Sequence, residues 1–122
     1  MNILVTGATR GIGKAICESL GGTIFASGRN ERLLAEYENY CVCNLSEQAG
    51  IEKLGSYIVA NNIDVLINNA GEYIYSGVEN TSYEQIEEII NLNLVAPLYL
   101  SSKSVPYMKN PPPKRMGDQR AI

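Results

Sequence analysis

The chain has 122 residues, 45% of them hydrophobic, which suits one small domain with a core of its own. Its net charge of −3, with no basic cluster, argues against a nucleic-acid binder, and no apolar run is long enough to cross a membrane. Met1 leads directly into an apolar run, with no basic leader and no small-residue cleavage site, which predicts a cytoplasmic protein.

Asn2 to Thr6 predicts a buried strand. Gly13 to Leu20 predicts a helix with Ile12, Ala15, Ile16 and Leu20 on its apolar side. Between them lies Thr6-Gly7-Ala8-Thr9-Arg10-Gly11-Ile12-Gly13, a T-G-x-x-x-G-x-G spacing. A helix N-terminus offers unpaired N–H groups and the positive end of a dipole, and glycine lets backbone approach an anion closely. A Gly-rich turn also arises for conformational reasons alone. Placed between an apolar strand and a helix, this one favours dinucleotide binding.

Gly21-Gly22 closes the first helix, and Thr23 to Ser27 is the second strand. Asn30 is placed to cap a short helix containing Glu31, Arg32, Leu33 and Leu34, with Tyr37 following. Tyr40 to Val42 makes a short third strand. Ser46 is the expected N-cap of a helix from Glu47 to Asn62, with Ile51, Leu54, Tyr57 and Ile58 on its apolar side. Ile63 to Ile67 is the fourth strand and the most apolar. Ser82 caps a helix from Tyr83 to Ile90, and Asn91 to about Met108 continues as a long apolar helix. Cys41 and Cys43 have the look of a metal pair. The chain has no histidine, however, and only Cys17 besides, so all three read as buried reduced thiols.

Strands and helices alternate four times. This predicts an α/β fold with a Rossmann-like, doubly wound parallel sheet, cut short after about four strands in the order 3-2-1-4. The Gly-rich turn then stands at the switch point between strands 1 and 4. Residues 1–109 form this incomplete dinucleotide-binding domain. Asn110 to Ile122 is polar and Pro-rich and reads as an irregular or disordered tail, either its own or foreign to the fold.

The octapeptide from Thr6 to Gly13 and the run Asn68-Asn69-Ala70-Gly71 after strand 4 resemble the two cofactor motifs of the short-chain dehydrogenase/reductase family. The resemblance implies a nicotinamide dinucleotide held by Gly7, Thr9, Arg10, Gly11, Ile12 and Gly13, by Asn44 and Leu45 beside the adenine, and by Asn69, Ala70 and Gly71 near the nicotinamide ribose. Asn44 departs from the family's usual Asp. Strand 2 ends in Ser27-Gly28-Arg29, without the carboxylate of NAD-selective sites. Arg29 and Arg10 would clamp a 2′-phosphate through paired guanidinium donors, which favours NADP(H) over NAD(H); as ordinary surface arginines they would do nothing of the kind.

The family transfers hydride between nicotinamide and a small carbonyl or alcohol substrate, using a Ser and a Tyr-x-x-x-Lys pair that follow a fifth strand. An Asn in the preceding helix holds a water through its main-chain carbonyl. Asn93 is the counterpart of that Asn. Pro97 has no N–H to serve the carbonyl four residues back, so that carbonyl is free either for a water relay or simply for solvent at a kink. Tyr99 and Lys103 fit the pair's spacing but lie in the same helix as Asn93, so packing is the better account. The resemblance covers about the N-terminal half of a typical member. The expected activity is therefore an NADP(H)-dependent oxidoreductase whose cofactor half is carried here, the chain alone being inactive. The alternatives are a non-catalytic dinucleotide-binding or interaction module, and a degenerate truncated product. Strand 4 as an open edge, with Leu94, Val95, Leu98 and Leu100 partly exposed, predicts self-association or a homo-oligomer.

Overall fold

A computed structural model describes residues 1–109. Four parallel strands, β1 (Asn2–Thr6), β2 (Thr23–Gly28), β3 (Asn39–Val42) and β4 (Val65–Ile67), form one sheet in the order β3-β2-β1-β4. Register is continuous across the centre: Leu4 stands opposite Phe25 on one side and Leu66 on the other. Helices α1 (Gly11–Ser19), α2 (Glu31–Leu34) and α3 (Gln48–Ala60) make the crossovers. After β4, a loop with a 3-10 turn at Val78–Asn80 leads into α4 (Tyr83–Ile90), a π-helical segment (Asn91–Val95) and α5 (Ala96–Lys109). The tail expected from residue 110 onward lies outside the described residues.

Side chains alternate along each strand, so β1 feeds two cores. Leu4 packs with Phe25, Cys41 and Leu66 against Ile51, Leu54 and Ile58 of α3 and Ala96 and Leu100 of α5. Ile3 and Val5 pack with Ala26 against Cys17 of α1 and Leu34 of α2. Both faces of the sheet are thus covered, which is why β1 reads as an unbroken apolar run. All three cysteines are buried and unpaired.

Several boundaries differ from expectation, each for a local reason. Asn44 Oδ1 accepts from Ser46 N–H at 3.0 Å, and this turn delays α3, so Glu47 rather than Ser46 takes the N-cap position. β4 is shorter than Ile63 to Ile67: Ile63 and Asp64 approach the sheet, with Asp64 N–H donating to the Asn2 carbonyl at 2.8 Å, before the ladder begins. α1 does not bury Ile12, which is 75% exposed; its inward positions are Gly13 and Cys17. A Cβ at Gly13 would lie 2.1 Å from the Gly7 carbonyl oxygen, so the helix sits too close for a larger residue there. Leu100 is fully buried, whereas Leu94, Val95 and Leu98 are exposed as expected. Asn30 and Ser82 cap α2 and α4, Ser82 through a reciprocal box with Gln85.

Candidate functional site

At the C-terminal ends of the strands a cleft of about 310 Å³ opens where β1 and β4 part. Its lining comes from four connections: Gly7, Thr9 and Arg10 after β1; Ser27, Gly28 and Arg29 at the end of β2; Cys43 to Ser46 after β3; and Asn69 to Glu72 after β4, closed by Leu92. Nine of the residues picked out in the sequence meet here: Gly7, Thr9, Arg10, Arg29, Asn44, Leu45, Asn69, Ala70 and Gly71. Gly11, Ile12, Gly13 and Asn93 lie outside the lining.

The hydroxyl of Thr6 ties β1 to β4. It accepts from Asn69 N–H at 3.0 Å and Ala70 N–H at 2.9 Å and donates to the Ile67 carbonyl at 3.4 Å. Asn69 Nδ2 returns the connection, donating to the Thr6 and Gly7 carbonyls at 3.0 and 3.2 Å. The first glycine turn and the Asn69–Gly71 turn are therefore one hydrogen-bonded unit. Gly7, at φ +66°, turns against Ala70, and a Cβ on it would lie 3.1 Å from the Ala70 Cα. Backbone in this cradle is bare toward the cleft. Among the described residues no side chain caps the N-terminus of α1, an arrangement suited to an anion.

Asn44 uses its side-chain oxygen in the turn to Ser46, which leaves Nδ2 as its donor toward the cleft. A bare backbone also underlies this corner: a Cβ at Gly50 would lie 2.0 Å from the Asn44 carbonyl oxygen, so α3 starts in direct contact with it. Arg10 and Arg29 are both exposed, and among the described residues neither forms an ion pair. Both also line a second hollow with Thr9, Asn30, Glu31 and Arg32, where three arginines stand against one glutamate on the β2 side.

Cys41 and Cys43 belong to the same buried core cluster. The nearness of the two thiols brings Cys41 down to about 7 and, together with burial, pushes Cys43 well above the usual thiol range. Cys43 thus stands in the cleft wall as a neutral group. Burial also raises Tyr37, to about 12, while its hydroxyl donates to the Ala8 carbonyl at 2.9 Å and steadies the first turn.

Asn93 does something its motif did not suggest. Its Oδ1 accepts from Glu72 N–H at 2.9 Å and its Nδ2 donates to the Glu72 carbonyl, so one amide grips the loop directly after Gly71. Ala96 N–H reaches the Asn91 carbonyl, an i→i−5 bond of the π segment, so Pro97 follows directly on a turn whose ladder is already re-registered. Tyr99 packs on α3, where a Cβ at Gly55 would lie 2.8 Å from its Cε1, and Lys103 Nζ sits 5.2 Å from the Tyr99 ring centroid. Neither lines the cleft.

Sequence reasoning missed Ser27, Gly28, Cys43, Ser46, Glu72 and Leu92 as wall residues. Position at or shortly after a strand end would have found the first four. Glu72 and Leu92 meet only through the fold.

A doubly wound parallel sheet with a cleft at its switch point is the architecture in which α/β proteins place their ligand sites. Residues 1–117 match the short chain dehydrogenase family, and the chain belongs to it. It is 33% identical over 122 residues to the ketoacyl reductase HetN of a Nostoc species, covering 87% of this chain and 42% of the relative. A short-chain dehydrogenase from Sphingobium yanoikuyae in complex with NADPH superposes with a TM-score of 0.77 at 26% identity, covering 89% of this chain and 49% of that one. A 4-hydroxyisoleucine dehydrogenase complexed with NADH gives 0.78 at 26% identity, covering 89% and 50%. The chain spans about half the length of the relatives it matches. Among the described residues, no helix is long and apolar enough to cross a membrane.

Proposed function

We propose that this chain carries the cofactor-binding part of an NADP(H)-dependent oxidoreductase acting on a small carbonyl or alcohol substrate. The observation that carries the reading is the convergence of Gly7, Thr9, Arg10, Arg29, Asn44, Leu45 and Asn69–Gly71 on one cleft. The fit to a dinucleotide phosphate rests on three features. The uncapped α1 terminus and the bare turn at Gly7 suit a pyrophosphate, with Gly11, Ile12 and Gly13 supplying N–H groups. The base side offers Leu45 as an apolar wall and Asn44 Nδ2 as a donor. β2 ends without a carboxylate, beside two arginines that form no ion pair among the described residues, and this supports NADP(H) over NAD(H).

When bound, the cofactor supplies hydride. The chain's own residues bind and orient it: Thr6 and Asn69 lock the two turns together, and Asn93 holds the loop beyond Gly71 against the cleft. Among the described residues, the cleft wall contains arginine, glutamate and cysteine but no tyrosine–lysine pair. In this reading, the proton-handling groups come from outside residues 1–109. That same feature favours, as a second reading, a module that binds the dinucleotide without turning it over. The three unpaired thiols suit a reducing, cytoplasmic compartment.

Fluorescence titration tests the assignment. NADPH is expected to bind more tightly than NADH, and Arg29→Glu to weaken NADPH about 10- to 100-fold, the range of charge-assisted hydrogen bonds. Tyr99→Phe should leave the affinity unchanged. Equal affinity of wild type and Arg29→Glu for NADPH would remove the NADP(H) assignment.

A further inference from the structure

The floor of the cleft holds a polar atom that the fold does not use. Ser27 ends the apolar run of β2, opposite Thr6 on β1 and Cys41 on β3. It is 1% exposed, and among the described residues its Oγ has no hydrogen-bond partner. Its main chain is committed, the carbonyl accepting from Ala8 N–H at 3.1 Å. Its side-chain neighbour is the Cys43 thiol, at best a weak partner. Phe25, two residues earlier and on the same side of the strand, is apolar. An alanine at position 27 would complete that face without burying an unpaired hydroxyl, so the serine brings the apo fold a cost and no bond.

Ser27 also lines the cleft, between Arg29 on one side and Asn44 and Leu45 on the other. We propose that the Ser27 hydroxyl is a ligand-facing group that hydrogen-bonds the adenosine half of the bound dinucleotide, and so helps set affinity for the nucleotide end. This rests on the dinucleotide reading given above. The hydroxyl lies just beneath the floor and engages by rotation about χ1, which is the freedom left to it once its backbone is pinned. A hydroxyl both donates and accepts, so it serves a ring nitrogen or a ribose hydroxyl equally.

One substitution should move stability and binding in opposite senses. Ser27→Ala removes the unpaired group, so the apo chain is expected to melt at the same temperature or higher. The same variant should bind NADPH, and adenosine 2′,5′-bisphosphate as a probe of the adenosine half alone, about 3- to 10-fold more weakly, the worth of one hydrogen bond. Ser27→Cys, close in shape and a weaker donor, should fall between. Unchanged affinity of Ser27→Ala for the bisphosphate would overturn the proposal, as would a loss confined to NADPH. If wild type binds the bisphosphate and Ser27→Ala binds it equally well, this inference alone fails. If wild type binds neither probe, the dinucleotide reading fails and this inference falls with it.

Discussion

Gly11 and Gly13 are two residues apart and serve different needs. Gly11 sits at φ +61° with open space where a Cβ would go, so its requirement is conformational. Gly13 has an ordinary backbone, yet a Cβ there would stand 2.1 Å from the Gly7 oxygen and 2.5 Å from Asn69 Nδ2. That oxygen belongs to the locked pair of turns and cannot yield without breaking the Asn69 bond. Gly11→Ala should therefore cost about 1 kcal/mol, the strain of a left-handed alanine. Gly13→Ala should cost about 3 kcal/mol, since backbone must shift. Urea unfolding of the two variants checks the order, and a Gly13→Ala no worse than Gly11→Ala would refute the contact. The T-G-x-x-x-G-x-G spacing was readable in the chain, but the reason for its last glycine was not. It depends on Asn69, more than fifty residues away, turning its amide back toward the first turn.

Among the elements, the path from α4 through the π segment into α5 holds the least expected result. Its outer limits were legible: Ser82 announces the start, and apolar spacing continues to the end. The extra backbone unit at Asn91–Val95 was not, because proline signals only a missing donor and does not say how the ladder repairs itself. Strand order followed from alternation of apolar runs and helices, and β1 to β3 came close to their expected limits for the same reason. The face of α1 was misjudged at Ile12, Ala15 and Leu20, though Ile16 does pack on the core, because periodicity ranks residues by hydrophobicity while the buried side here is chosen by closeness at Gly13. Asn93 shows the same limit. Its place in the helix was readable, but its grip on Glu72 joins segments 21 residues apart. Asn93→Ala should therefore loosen the loop rather than unfold the chain. We expect a loss of about 1 kcal/mol, with hydrogen exchange at Glu72 accelerated up to about tenfold and NADPH affinity reduced. Unchanged exchange at Glu72 would show that the amide pair does not hold the loop.

For the molecule as a whole, surface left uncovered matters as much as the core. β4 stands at one end of the sheet among the described residues, and its three residues are Val65, Leu66 and Ile67. Beyond it, Ile86, Ile90, Leu94 and Leu98 recur at every fourth position along the α4–α5 path and are 45, 45, 51 and 65% exposed. Helical neighbours of this spacing form a stripe rather than scattered contacts. Water on a continuous apolar stripe is unfavourable at about 25 cal/mol per Å², so a second copy that covers it recovers part of that cost. An apolar strand edge offers unpaired backbone groups to the same encounter. We therefore expect the 122-residue chain to self-associate, with sedimentation velocity showing larger species as concentration rises. Replacing Ile90 and Leu98 together by lysine puts two like charges on the stripe and should return the chain toward monomer. The melting temperature should barely move, because both side chains are largely outside the core. Wild-type chain that sediments as a single monomer across the concentration range would refute the stripe as a contact surface. A double variant that still associates would shift the cause to the β4 edge, which a lysine at Val65 then tests separately.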